Sequence, residues 1–556
     1  TYSYDQYGNL TDTYSYKDFG TLNFAPNASA EHSSIAYDST LYTYPISTTN
    51  AVGETSSNTV LLTLGQNYRA NDANGWTYET LYDGLGRILS ATAPGLSQPG
   101  ILYTYPVPDS TGSIAAPYFI GMQILDTSAN TYRSVWGIYD GLGRVIQNQV
   151  FDADANEESL LVSSTSFDAM GNAKQVSSPY YSSGNGGEYL LPNWSSLPNT
   201  SYEYDPLNRK TKVTNPDGTF SSFSYSGLIT QLLDPNGNMT KQTFDEFGRL
   251  SLVSEYSGQS VYTITQYYYN IKDQLTKVVD GSGNQSTFEY NWLGQKVEMT
   301  DTDMGNWQYA YDSLGNLIYQ EDARDQVINL SYDDLNRLIE KVDDNTQAIL
   351  TTNSYGSSIG EFGKRISMSD ASGTTQWDYS NYGRTVTETR DMEGTPRTFI
   401  TTSDWLGRVL SITNPDSEVI GYTFDALGRQ KGVSSSEHPG SDLATLGYNA
   451  LSQIVNTTLA NGIEITNTYN SSQRLATRQA ALGENPELID YSYTYDDNGN
   501  ISQIIDGTLS ETQSFTYDSL NRLTSALAVS DSTTVFSLYY AYDKLGNLYH
   551  VTSSPL

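Results

Sequence analysis

One seven-residue phrase recurs along this chain at a nearly constant interval, and that recurrence limits the available folds more than any other feature. It appears in recognisable form eighteen times, from YDQYGNL (4–10) through YDSLGNL (311–317) and YDDLNRL (332–338) to YDKLGNL (542–548). The opening tyrosines Tyr269, Tyr290, Tyr311 and Tyr332 stand 21 residues apart, and the spacing from Phe424 to Tyr542 stays between 21 and 26. A fixed period of this length marks a solenoid or array whose units bury their faces only against neighbours, which overrides any domain count based on length.

Many units carry a second signal midway, such as NPDG (215–218), DPNGN (234–238) and DGSGN (280–284). Asn, Asp, Gly and Pro in these orders are turn chemistry. Runs of roughly five to eight residues separate the two signals, the length of a strand, so each unit reads as two strands and two turns. The expected class is all-β, with no helix through residues 260–350.

Each position of the heptapeptide has a structural reading. The fifth is Gly in Gly86, Gly143, Gly315 and Gly428 and Asn in Asn336 and Asn521, residue types that tolerate positive φ. Ser452 and Gln473 break this rule, so distorted turns are expected there. The second position, Asp83, Asp140, Asp312, Asp333, Asp425 and Asp518, is suited to fold its carboxylate onto backbone N–H groups. The fourth, as in Leu85, Leu142, Leu314 and Leu427, is expected to plug the space under the turn. The sixth, Arg87, Arg144, Arg337, Arg429 and Arg522, is expected to pack over a neighbouring ring or pair with the next unit's Asp. The first, Tyr82, Tyr139, Tyr311, Tyr332, Phe424 and Tyr517, supplies a large side chain that covers a sheet without full burial. The phrase is architecture, because active sites are written once and scaffolds many times.

The remaining features exclude more than they assign. The chain has 63 acidic against 29 basic residues, a net charge of −34, which repels phosphate backbones and anionic lipid surfaces. It has no Cys, so disulfides and thiolate chemistry are out. No apolar run is long enough to span a bilayer, and Thr1 opens no signal-peptide pattern; the chain reads as a processed product or a piece of something longer. His32, His438 and His550 are scattered, and no nucleophile, phosphate-loop or dinucleotide motif occurs, so the expectation is no enzyme and no cofactor. Residues 152–163 begin like a calcium loop with Asp152, Asp154 and Asn156. Glu157 and Ser163 occupy the positions that need Gly and a bidentate Glu, which favours a surface loop, as for DTDMGN (301–306). Apolar residues such as Leu317, Ile318 and Tyr319 fall on both strand faces, which favours a sheet with two semi-polar faces over a dry sandwich.

The YDxLGR phrase with its midway turn resembles the RHS or YD-repeat family of bacterial polymorphic toxins, Tc-toxin cocoon components and teneurins. Residues 175–219 are most similar to the Tc-toxin and related secreted members, and the resemblance is strong over 201–556 and patchier before. It implies a strip of hairpins spiralling into a hollow shell or barrel-like cocoon that in the toxins encloses a C-terminal effector. It further implies a secreted, extracellular or cell-surface setting and partners in the rest of a larger RHS polypeptide; the acidic charge and the lack of a long apolar run lead to the expectation of no nucleic-acid binding and no membrane insertion by this segment. The DPxGL signature that usually ends the toxin core is absent. Residues 1–200 are expected to be irregular, loop-decorated repeats and 201–556 regular repeats of the same shell. A cargo-free adhesive or structural YD-repeat protein is the alternative.

Overall fold

The computed structural model describes residues 1–16, 30–154, 160–483 and 488–553. Among these residues there are 47 strands, numbered β1 to β47 in chain order, and no α-helix; a single 3-10 turn covers Asn381–Gly383.

One unit explains the rest. Strand β26 (Gly305–Tyr311) pairs antiparallel with β27 (Leu317–Glu321), which pairs with β28 (Val327–Tyr332), which pairs with β29 (Leu338–Asp343). The heptapeptide closes the first hairpin. Asp312 N donates to Asn316 O at 3.0 Å and Gly315 N to Asp312 O at 3.2 Å, leaving a three-residue loop with Gly315 at φ 95°. That is a type I turn followed by a left-handed residue, which forces a bulge and places Tyr311 opposite Leu317. The midway signal builds the same loop at the other end of the strands, with Asp322 N to Gln326 O and Asp325 N to Asp322 O. Two such three-residue loops with the paired residue on either side of each (312–316 and 322–326) and two short strands make up the 21-residue interval.

Consecutive strands pair in chain order along nearly the whole strip. The exception is a branch at β13 (Leu160–Phe167), whose second half pairs with β14 (Ala173–Ser177) and whose first half pairs with β15 (Tyr180–Ser182). Strand β14 then pairs with β16 (Asn199–Tyr204) and the meander resumes. The two end strands, β1 (Tyr2–Tyr4) and β47 (Leu548–Ser553), each have one partner, so the sheet is not closed edge to edge.

The sheet is a single layer almost everywhere. All residues of β23 (Leu275–Val279) and β35 (Val409–Thr413) are half-buried on both faces. Among the described residues the fully buried apolar ones are Ile138, Leu160 and Val162 near the branch, Leu125 in β10 (Tyr118–Asp126), and Ala480, Ala526 and Ala528 elsewhere. At the branch residues 183–198 form a strap over the sheet. Gln147 Nε2 donates to Leu190 O at 2.7 Å and Gln149 Nε2 to Glu188 O at 2.6 Å, while a Cβ on Gly186 would lie 2.3 Å from the Trp136 ring. The accessible surface is 31572 Å², against about 20,000 Å² for a compact globule of this mass. That excess is what a thin wall requires.

Candidate functional site, the repeat turns and their seam

The heptapeptide is a polar clamp. In each Asp–Arg turn, the Asp Oδ1 accepts two backbone N–H groups and Oδ2 accepts the Arg side chain. For Asp83 these are Leu85 N at 2.9 Å, Arg87 N at 3.0 Å and Arg87 Nε at 2.6 Å. Asp140 with Arg144, Asp333 with Arg337, Asp425 with Arg429 and Asp518 with Arg522 repeat the arrangement at Nε to Oδ2 distances of 2.8, 2.7, 2.5 and 2.7 Å. Asp312 clamps Leu314 N and Asn316 N, and takes the Asn316 amide in place of a guanidinium. The backbone N–H of Arg87, and likewise that of Arg144, holds the Asp83 and Asp140 carboxyls below the usual carboxylate range.

The same residues tie each unit to the next. The opening Tyr donates its OH to the carbonyl of the seventh residue of the preceding phrase: Tyr311 to Lys296 at 2.9 Å, Tyr332 to Leu317 at 3.0 Å and Tyr517 to Ile501 at 2.8 Å. Tyr82 makes the corresponding bond to Asn67 O at 3.0 Å, whereas Tyr139 stacks on Tyr118 at 5.4 Å. Phe424 has no OH and instead takes the Arg408 guanidinium 4.6 Å over its ring. Each clamping Arg in turn lies on the ring that follows: Arg337 on Tyr355 at 4.3 Å, Arg429 on Tyr448 at 4.7 Å and Arg522 on Tyr542 at 4.8 Å. Where the sixth residue is Asn, amides replace this contact, as when Asn500 Nδ2 donates to Asn521 Oδ1 at 2.8 Å and Asn316 Nδ2 to Asn336 Oδ1 at 2.6 Å.

Three expectations need correction. The Arg does pack over the neighbouring ring, but it ion-pairs chiefly with its own Asp, because four residues across this loop bring the two together; among the described residues only Arg249 also ion-pairs with the next unit, at Asp273. Ser452 and Gln473 build undistorted loops at φ 60° and 68°, since Asn449 and Asn470 supply the clamping Oδ1. The fourth residue is no plug under its own turn. The carboxylate fills that space, and Leu85 and Leu142 stand out from the rim, 79% and 78% exposed.

The strip also meets itself. Backbone and side-chain contacts join residues 255 to 297 positions apart, which is the length of one circuit. Asn74 bonds Gly360 N and Phe362 O at 3.0 and 3.4 Å. Trp405 Nε1 donates to Leu125 O at 2.8 Å and Arg408 Nη2 to Asp126 Oδ2 at 2.9 Å. Lys431 reaches Asp154 at 2.7 Å, Gln473 Nε2 donates to Ser178 Oγ at 2.8 Å, Asn498 bonds Asp234 at 2.5 Å, and Tyr262 OH donates to Asp543 O at 3.1 Å. Arg384 bonds Pro94 O and Arg133 bonds Leu427 O. The pattern is directional: heptapeptide turns of the later circuit sit on midway turns of the earlier one. Asp152 and Asp154, read from the sequence as an idle surface loop, belong to this seam; Asp152 is buried and accepts the Tyr181 OH at 2.7 Å. Asn156 and Glu157 lie outside the described residues. No sequence signal pairs Asn74 with Gly360, because nothing local encodes the length of a circuit.

Among the described residues no three His, Asp or Glu side chains are placed to hold a metal. His32 is engaged with Asp12 at 2.9 Å and stacked on Tyr14. The polar groups of the motif are therefore spent on each other and on the seam.

No protein family matches the chain by sequence, and neither does any curated protein. Solved structures do match in fold. A TcdB2-TccC3-Cdc42 crystal structure superposes at a TM-score of 0.86 with 16% identity, covering 100% of this chain and 35% of that one. A TcdB2-TccC3 crystal structure gives 0.85 with 17% identity, covering 100% and 34%. The Tc holotoxin pore of Photorhabdus luminescens, with a TccC3 point mutation, gives 0.82 with 15% identity, covering 94% and 34%. The fold and the repeat turns define a single-layer strip of consecutive β-hairpins closed by one recurring turn. The chain has the RHS/YD shell fold of these Tc-toxin components and spans about a third of the length of the chains it matches.

Proposed function

We propose that this chain is a non-catalytic length of wall in a hollow RHS shell, part of a larger secreted polypeptide or assembly, and that the shell encloses a polypeptide cargo. The observation that carries the reading is a one-layer sheet wound so that successive circuits are stitched turn to turn. A strip that only needed to be long, as in an adhesive stalk, has no use for contacts between residues about 280 apart, whereas a wall without them would leak between circuits. Residues 1–200 serve as the loop-decorated part of this wall, with the exposed Pro-rich loop at 105–117, and residues 201–556 as its regular part. The acidic charge keeps so large a surface dispersed. Electron microscopy of the intact assembly tests the reading: a particle with a closed-off interior holding extra density supports it, and a solid globule or an extended rod overturns it.

A further inference from the structure

Two tyrosines stand where the repeat phrase calls for other residues, and they meet. Tyr7 is the fourth residue of the first phrase, YDQYGNL (4–10), the position of Leu85, Leu142 and Leu314 in later ones. Tyr42 lies in a lengthened phrase, YDSTLYTY (37–44), and takes its left-handed position at φ 54°, where other turns place Gly86, Gly143, Asn336 or Asn521. A bulky side chain at positive φ is strained. The other aromatic residue at positive φ among the described residues is Tyr382, whose ring packs on Trp76 at the seam; at Tyr42 the strained backbone lays the ring on Tyr7. The two rings are stacked 4.3 Å apart at 19°, the closest ring pair among the described residues. Stacking of this kind is ordinary inside a core, but here Tyr7 is 53% and Tyr42 40% exposed. The loop that carries Tyr42 is firmly held. Asp38 accepts the backbone N–H groups of Thr40, Leu41, Tyr42, Thr43 and Tyr44 at 2.5 to 3.3 Å, and Asn9 Nδ2 donates to Tyr42 O at 2.7 Å. The charge of the neighbouring Tyr7 phenol, and hydrogen bonding with it, push Tyr42 above the usual phenol range, so the oxygen-bearing edges of the two rings adjoin.

We propose that Tyr7 and Tyr42 form an oxidative cross-linking site, joined ring to ring as dityrosine by a one-electron oxidant, a haem peroxidase working with hydrogen peroxide. The oxidant removes one electron and the phenolic proton from each ring. The two phenoxyl radicals then join through the carbons ortho to oxygen, and the two ortho hydrogens pass to the oxygens as the rings become aromatic again. The peroxide is reduced to water, so two tyrosines and one peroxide give one dityrosine and two waters. The ortho carbons flank the phenol oxygens, and the stack already holds those edges side by side. The bond ties the hairpin of β1 and β2 (Leu10–Ser15), in which β1 has three residues and one partner, to the loop between β3 (Glu31–Tyr37) and β4 (Pro45–Thr49). The chain contains no cysteine, so this covalent tie is open to it where a disulfide is not. The inference does not depend on the shell-wall reading and stands or falls without it.

The test treats the full 556-residue chain, kept dilute so that chains seldom meet, with a plant haem peroxidase and less than one equivalent of hydrogen peroxide. Dityrosine fluorescence is expected to appear while light scattering still reports the mass of a single chain. Trypsin has no cleavage site between Lys17 and Arg69, so it should release residues 1–17 joined to 18–69 with the loss of two hydrogens, and fragmentation should place the bond on Tyr7 and Tyr42. Tyr7→Phe and Tyr42→Phe keep a stacked ring but lack the phenol, and each is expected to abolish this product. Tyr118→Phe, in the half-buried Tyr118–Tyr139 stack at 5.4 Å, should leave its yield unchanged. A bond that maps mainly to other tyrosines, or a yield that survives substitution at 7 or 42, overturns the proposal. So does fluorescence confined to a doubled mass, which would be chance coupling between exposed tyrosines of separate chains.

Discussion

At the residue scale, the turn is held by a carboxylate and by one left-handed backbone position. Gly248 sits at φ 81° with nothing within 4 Å of where its Cβ would be, so a side chain there meets backbone strain alone. Gly248→Val is expected to cost about 1 to 3 kcal/mol and Gly248→Asn much less. Equal urea midpoints for the two variants would remove the left-handed argument. The clamp also makes stability depend on pH. The carboxyls of Asp83, Asp140 and Asp205 are lowered, first by the backbone N–H groups of Arg87, Arg144 and Arg209. A group whose folded value is depressed contributes fully above its unfolded value, about 3.9 for Asp, and loses that contribution as pH falls through the folded value. The urea midpoint is therefore expected to hold steady from pH 7 to about 5 and to drop below about 4. A midpoint that stays level down to pH 2 would argue that the carboxylates are not clamped. The turn chemistry was legible because YDxLG specifies it within seven letters. The role of Leu85 was not, since whether an apolar residue points under or away from a loop depends on what already fills the space beneath.

At the scale of the element, adjoining units are welded by a hydroxyl and a stacked cation rather than by a core. Tyr311→Phe removes one bond to Lys296 O and Tyr517→Phe one to Ile501 O. Each is expected to cost about 0.5 to 1.5 kcal/mol. The two bonds share no partner, so the double variant should approach the sum. Marked non-additivity in thermal or denaturant unfolding would show that the units communicate by another route. Strand number, hairpin order and loop form could be read from two turn signals and a period, because antiparallel hairpins are local structures. The branch at β13 and the strap over Trp136 escaped that reading. Both depend on Gln147 and Gln149 reaching Leu190 and Glu188 from about 40 residues away in sequence, and isolated glutamines carry no such signal.

For the whole molecule, stability and shape are separable. Trp405→Phe deprives the Leu125 carbonyl of its donor and is expected to cost about 1 to 3 kcal/mol. The cost falls at the seam, so amide exchange should quicken around 125–126 and 404–408 while the hairpins on either side keep their protection and circular dichroism is unchanged. Loss of protection spread evenly along the strip would mean that the circuits do not act as separate layers. A strip this thin gains little from a core: seven apolar side chains are fully buried among the described residues, so contacts between circuits decide whether it stands as a wall.

What the sequence by itself determined is the part encoded within a unit: an all-β strip, the loop geometry at each heptapeptide and midway turn, and two faces that are both half-polar. Those follow from φ preferences, Asx hydrogen bonding and alternation, which act over a few residues. Only the tertiary structure decided the curvature, and with it that Asn74 meets Gly360, that Trp405 caps the Leu125 carbonyl, and that Leu85 is bare while Leu427 is half-covered. Small twists and bulges at every hairpin add up over about 280 residues before the strip meets itself, and no residue records that sum.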